Sequence, residues 1–159
     1  MKGHPLAFEL HLETETVGHM NLPKPLCVEP SVSVREVLNE LKARQSGSVS
    51  VCQDGKLVGM FTERDALRLL ASGGGLDQPI EAVMTRNPAV VLASETVTSA
   101  IAKMSEGGYR RLPVVDGAGR PVGLLKVSTI LHYLVQHFPK FVYNLPPCPN
   151  QRPQEREGA

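Results

Sequence analysis

The chain repeats itself. Set about 63 residues apart, Val34 answers Val97, Leu38 answers Ile101 and Val51 answers Val114. One extra residue in the second turn then aligns Val58-Gly59 with Val122-Gly123. Each copy reads strand, helix, strand, hairpin, strand, helix. A copy of that size buries too small a share of its surface to stand comfortably alone. The expected architecture is a mixed α/β (α+β) fold, in which two small, mostly antiparallel sheets with flanking helices pack sheet to sheet.

The first copy opens on a short strand, Pro25-Leu26-Cys27-Val28. Ser33 and Glu36 have capping-box spacing, and Val34, Val37, Leu38 and Leu41 follow at helical intervals. Residues 48–52 (SVSVC) predict a strand, Asp54-Gly55 a hairpin turn and residues 56–61 the returning strand. A helix runs on to about Ala71, and Gly73-Gly74-Gly75 breaks it. In the second copy Ala89-Val90-Val91-Leu92 is a strand, and Thr96 caps a helix carrying Val97, Ala100, Ile101 and Met104. Leu112-Pro113-Val114-Val115, the Asp116-Gly117 turn, a return over 121–125 and a helix over 127–138 complete it. The expected organisation is an N-terminal segment 1–20, a first repeat 21–75 with its glycine linker, a second repeat 76–143, and a Pro-rich tail 144–159 that is extended or disordered. In the N-terminal segment Phe8, Leu10 and Leu12 alternate with Glu9, His11 and Glu13, the period of an edge strand packed on the core or on a partner.

Composition removes several function classes. With no Trp and 4% aromatic residues, the core must be aliphatic, and no aromatic platform for single-stranded nucleic acid exists. The formal net charge of +1 gives no general attraction to nucleic acid or to a membrane surface. No apolar run approaches the roughly 18 residues of a membrane span, and the acids near the N-terminus do not suit a signal peptide. Three cysteines without a CxxC pair argue against a disulfide framework or a zinc site, so a reducing cytoplasm is the expected address.

The chemistry concentrates at residues 59–65 (GMFTERD), where an apolar strand turns at Thr62 into a helix. Two readings are open. Thr62 and Asp65 have the spacing of a capping box. They also place a carboxylate, with two acceptor oxygens suited to a ribose diol, beside N–H groups at a helix N-terminus that favour an anion. The histidines do not assemble a metal site: His132 and His137 are on different faces of a helix, and His11 and His19 lie in the irregular N-terminal segment. No Ser/His/Asp or Cys/His arrangement and no Walker-type loop can be argued.

The combination resembles a known family. Val83-Met84-Thr85-Arg86-Asn87-Pro88, Arg111-Leu112-Pro113-Val114-Val115-Asp116, Gly119, Gly123 and residues 59–65 are similar to the motifs of the cystathionine β-synthase (CBS) domain pair, or Bateman module. The resemblance covers residues 20–138. The segment after the second repeat looks like the ending of small free-standing bacterial pairs. The resemblance implies pseudo-twofold symmetry and two clefts between the repeats, each taking a Thr-x-x-Asp turn from one repeat and strand residues from the other. It implies a regulatory adenosyl ligand such as AMP, ADP, ATP or S-adenosylmethionine, and no catalytic cofactor or metal.

Carried over by residue, the better cleft has Asp65 on the ribose and Thr62 by the phosphate. Met84, Asn87, Ala89 and Val90 line the adenine, Tyr109 and Arg110 flank the base or ribose, and Leu112 is a further ligand-binding residue. Arg111 is on the phosphate, assisted by Arg64. The second cleft is weaker: Lys126 and Thr129 replace the leading Thr and the Asp, and Asn21, Lys24, Leu26, Gly47 and Ser48 form the rest. The expected function is a non-enzymatic sensor that signals a ligand-induced conformational change to an effector protein, as a homodimer through its helices. The alternative is an interaction and dimerisation module without a ligand.

Overall fold

The computed structural model describes residues 12–137. Among the described residues seven strands and four principal helices follow one another, the six expected strands and four expected helices in the expected order plus one strand between the repeats that was not expected. β1 (Cys27–Val28), α1 (Val34–Ala43), β2 (Ser48–Gln53), β3 (Lys56–Thr62) and α2 (Glu63–Ala71) form the first repeat. β4 (Thr85–Arg86) lies between the repeats. β5 (Val91–Leu92), α3 (Val97–Gly107), β6 (Arg111–Val115), β7 (Pro121–Lys126) and α4 (Val127–His137) form the second. The strands make one four-stranded sheet in the order β1-β2-β3-β4 and one three-stranded sheet in the order β5-β6-β7. In both, the first strand pairs in parallel and the hairpin is antiparallel. The fold is the mixed α/β class expected.

Local sequence accounts for these elements. Ser33 caps α1 with Glu36 in a full capping box, and Thr96 caps α3 through the amide of Ser99. Asp54 and Gly55 both take positive φ (52° and 77°), as a two-residue turn of the primed type requires. Each hairpin ladder then slips once, between Val51 and Cys52 and between Val114 and Val115. The slips put Val58 and Val122 in equivalent bulges, ahead of Gly59 and Gly123. The first strands are shorter than expected: Pro25 and Leu26, and Ala89 and Val90, lie outside the ladders.

The packing departs from a simple stack of two sheets. There are two buried cores, one per repeat, and each is completed by the segment that precedes the other repeat. Ile80, fully buried, belongs to the first core with Val34, Val37, Val49, Val51 and Phe61. Leu12, Val17 and Met20 belong to the second, with Val91, Val97, Leu112 and Leu125. The two crossings match at the repeat spacing: short 3-10 turns at Val17–His19 and Ile80–Ala82, and isolated bridges Thr16–Thr96 and Pro79–Ser33. Residues 12–14 are helical, so Leu12 enters its core from a turn and not from the edge strand that alternation suggested. Phe8 and Leu10 lie outside the described residues, as does the tail. Period-2 alternation explains the pair of cores. On β2, Val49 and Val51 point into the first core, which leaves Ser48 and Ser50 on the face turned toward the other repeat.

Cys27 and Cys52 are neighbours across β1 and β2, Cys27 exposed and Cys52 buried. Burial, and then the adjacent Cys27 thiol, push the Cys52 thiol up to about 12. At pH 8 iodoacetamide is expected to modify Cys27 and to spare Cys52 until the protein is unfolded, which peptide mapping by mass spectrometry would read; equal labelling of both would contradict the burial. Among the described residues no helix is long and apolar enough to cross a membrane.

Candidate functional site

β3 hands over to α2 at Thr62, and both readings of that turn meet in one geometry. The Thr62 amide and hydroxyl donate to Asp65 Oδ2, each at 2.9 Å, and the Asp65 amide donates back to Thr62 Oγ1 at 3.3 Å. The pair is a full capping box. Both bonds end on Oδ2, so among the described residues Asp65 Oδ1 has no protein donor and remains an acceptor for something else. The helix N-terminus offers less than expected. The Glu63 amide is taken by the Gly47 carbonyl at 3.1 Å, and those of Thr62 and Asp65 by the cap. The Arg64 amide is left, so charge for an anion must come from side chains.

Those side chains are present. Two adjoining hollows share Met60, Thr62, Tyr109 and Arg111 as a common wall. One, of about 360 Å³, adds Asp65, Thr85, Asn87, Pro88, Ala89 and Leu112. The other, of about 370 Å³, adds Glu63, Arg64, Gly108 and Arg110. Each reaches the lower end of ligand-pocket volumes, about 300 Å³ and up. The first hollow is a largely apolar slot with one carboxylate. The second carries three guanidinium groups, and among the described residues none of the three is in an ion pair. Asn87 turns the chain into the slot with φ +46°, a left-handed conformation that asparagine tolerates, and its amide is held by the Val58 carbonyl at 3.3 Å. The Arg111 guanidinium lies against Gly47, where any side chain would collide with it. A glycine of the first repeat thus seats an arginine of the second.

Nine of the eleven residues expected at this cleft line it. Met84 lies elsewhere: its side chain fills the space over Gly59 and packs on the first core. Val90 is also apart from the two hollows, and its carbonyl accepts from Lys103 Nζ at 3.0 Å. Met60, Glu63, Thr85, Pro88 and Gly108 were not anticipated. Met60 and Thr85 face one another across the β3–β4 pairing, a two-residue ladder too short for any periodicity to announce.

The residues expected at the second cleft divide between two hollows that meet at Pro23. Lys24, Leu26, Ser48 and Lys126 line one of about 240 Å³. Asn21 and Thr129 line another with His132, and Gly47 is at neither because it faces Arg111. His137 Nδ1 is engaged with the Tyr133 carbonyl at 3.0 Å, and its ring stacks on Tyr133. Among the described residues no group of three or more His, Cys, Asp or Glu is placed to hold a metal ion.

Comparison with known proteins shows the family. The family model for the CBS domain matches residues 17–72 and 80–136. An uncharacterized 17.7 kDa protein of Acidianus ambivalens is 30% identical over 120 residues, which is 75% of this chain and 73% of that protein. Among solved structures, CBSX2 in complex with AMP superposes with a TM-score of 0.69 at 30% identity, over 77% of this chain and 97% of that one. The CBS domain pair of protein MJ0100, in complex with 5′-methylthioadenosine and S-adenosyl-L-methionine, gives 0.68 at 28% identity, over 77% and 98%. The chain spans 22% of the length of a matching CBS domain-containing protein of Arabidopsis thaliana.

Proposed function

The chain belongs to the CBS domain family, and from that premise we propose that it is a regulatory module whose cleft between Asp65 and Arg111 binds an adenine nucleotide. The observation that carries this reading is the division of one cleft into two chemistries. An apolar slot whose carboxylate has one oxygen without a donor among the described residues adjoins a hollow lined by Glu63 and by three arginines, none of them in an ion pair among the described residues. A ribose diol donates to Asp65 Oδ1, the base lies along Ala89, Pro88 and Leu112, and the phosphate meets Arg111, whose planar fork bonds two oxygens at once. Arg64 and Arg110 extend the cationic surface for further phosphates.

The same charge ranks the ligands. S-adenosylmethionine, with a sulfonium, an ammonium and a single carboxylate, is a net cation facing three guanidinium groups, whereas AMP, ADP and ATP are anions. The module is proposed to be non-enzymatic. The residues at the cleft include no paired nucleophile and base, and the described part of the chain holds only the two repeats. Bound nucleotide shifts the relative placement of the repeats by its differential affinity for the two arrangements, and an effector protein in the cytoplasm reads the change.

A homodimer through the helices completes the proposal. Leu67 and Leu70 on α2, and Leu131 and Val135 on α4, are exposed, Leu67 by 69% and Leu131 by 57%. Leu67 and Leu131 occupy equivalent positions of the two repeats, and the two exposed strips together offer an apolar face for a second copy. Leu67→Arg with Leu131→Arg is expected to halve the mass measured by light scattering while leaving the circular dichroism spectrum unchanged. A wild-type chain already monomeric at high micromolar concentration would remove the dimer.

The nucleotide reading is tested by thermal melts against AMP, ADP, ATP, S-adenosylmethionine and cyclic dinucleotides, with and without Mg²⁺. A ligand at 100 times its dissociation constant adds about 2.7 kcal/mol, or roughly 5–10 °C for a chain of this size. The phosphate-bearing ligands are expected to give that shift. A folded, nucleotide-free protein that none of them moves would leave the ligand-free interaction module as the better account.

A further inference from the structure

Gly47 is a glycine that its own backbone does not require. Its φ lies outside the left-handed region that favours glycine, unlike that of Gly55, Gly73, Gly108 and Gly119. The chain is pinned there all the same. The Gly47 carbonyl accepts from the Glu63 amide at 3.1 Å, and the next residue, Ser48, pairs with Thr62 at the end of the β2–β3 ladder. What takes the place of a side chain is the end of Arg111. A methyl group on Gly47 would stand 2.7 Å from Nη2 and 2.8 Å from Cζ of that guanidinium. We propose that Gly47 is a positioning residue that preorganises Arg111, and that the cleft in consequence selects a nucleoside 5′-phosphate by its first phosphate, with further phosphates adding little. The inference rests on the nucleotide reading of this cleft and adds to it which phosphate is recognised.

Ordering a long side chain around a ligand costs entropy, and a side chain already held against a fixed wall has given up part of that entropy before the ligand arrives. Arg111 is half-buried and lies at the wall that the two hollows share. Arg64 and Arg110 are exposed and border only the second hollow. Exposed charges are screened and must be ordered by the ligand itself, so each contributes little. Glu63 lines the same hollow and opposes additional negative charge there. Tyr109, the other large side chain of the shared wall, is held in the same way: its ring occupies the place that a side chain on Gly107 would take.

The repeat relationship separates this seat from a general packing requirement. At the repeat spacing, Arg110 stands where the first repeat has Gly47, and Ser48 stands where the second has Arg111. The seat and its arginine therefore occur once, together, at the cleft that also holds Asp65.

Calorimetric titration of the full chain with adenosine, AMP, ADP and ATP reads the inference. AMP is expected to bind about a hundredfold more tightly than adenosine, the worth of two charge-assisted hydrogen bonds, with ADP and ATP within about fivefold of AMP. Gly47→Ala displaces the guanidinium without straining the backbone, and is expected to weaken AMP about tenfold while leaving adenosine as it was. In an Arg111→Met background the same change is expected to cost nothing more. Arg111→Lys keeps the charge, loses the fork and leaves Gly47 untouched, and is expected to lose a similar part of the preference for AMP. A Gly47→Ala protein that keeps wild-type AMP affinity, that loses adenosine equally, or whose loss adds to that of Arg111→Met would overturn the role of Gly47. Arg111→Lys with the full preference for AMP would do so without any change at Gly47. ATP binding more than about tenfold tighter than AMP would overturn selection by the first phosphate. A wild-type chain that binds AMP no better than adenosine is a different failure, that of the nucleotide reading itself, and takes this inference with it.

Discussion

Removing residues 1–22 is expected to unfold the repeat that lies farther away along the chain. Leu12, Val17 and Met20 are buried in the core of β5, β6, β7, α3 and α4, not in that of the repeat they precede. Burial of each such side chain stabilises by about 1.5–3 kcal/mol, so the deletion removes roughly 4–9 kcal/mol. It also orphans backbone groups, because the Val17 and Gly18 amides donate to Glu95 and Ala93 and the Val97 amide to Glu15, at 2.8–2.9 Å. A loss of that size is comparable with the whole stability of an ordinary domain, about 5–15 kcal/mol. Hydrogen exchange read by mass spectrometry should therefore show residues 91–134 losing protection while 34–66 retain it. Uniform loss would mean that the two cores melt as one unit. Unchanged protection would mean that the crossing contributes nothing.

Asp65→Asn is expected to abolish nucleotide binding at micromolar concentrations while leaving the apo protein folded and nearly as stable. The substitution separates two tasks that one carboxylate performs. An asparagine carbonyl can accept from Thr62 in place of Oδ2, so the cap of α2 survives. The amide nitrogen then stands where Oδ1 stood and presents donors to a ribose diol that also donates. Two charge-assisted hydrogen bonds of about 1.5 kcal/mol or more each are lost, roughly a hundredfold in affinity. Asp65→Ala removes the cap as well and should lower apo stability by about 1 kcal/mol. Calorimetric titration with AMP, beside a melt of each variant, distinguishes the outcomes. An Asp65→Asn protein that binds as tightly as wild type would take the ribose away from this residue.

Much of this was readable before any coordinates. The repeat spacing, the hairpin turns, the capping residues and the grouping of Thr62, Asp65, Asn87, Tyr109 and Arg111 all rest on local patterns or on motif resemblance. What escaped was set by contacts distant in sequence. Met84 belongs to a recognisable motif, yet its position over Gly59 depends on how the inter-repeat segment crosses back onto β3. The burial of Ile80 and Val17 in the opposite cores follows from the same crossing, and hydropathy records only that they are apolar. The donors at the start of α2 were overestimated because Gly47, sixteen residues upstream, spends its carbonyl on one of them. Ser48 and Ser50 were the reverse case: strict alternation with Val49 and Val51 already assigned them a face, but not the cavity waiting there.

The crossed segments also bear on how the chain matures. A ribosome releases it N-terminus first, so Leu12, Val17 and Met20 emerge long before Leu112 and Leu125, the residues they end up beside. At about 5–20 residues per second, the interval is roughly 5–20 s, far longer than the collapse of a small chain. Through that interval three apolar side chains have no destination within the nascent polypeptide. The first repeat is likewise incomplete until Ile80 has been made. Synthesis therefore passes through a stage in which a nearly finished half waits for one side chain and an early segment waits for most of the rest, and this is where a chaperone would find the chain.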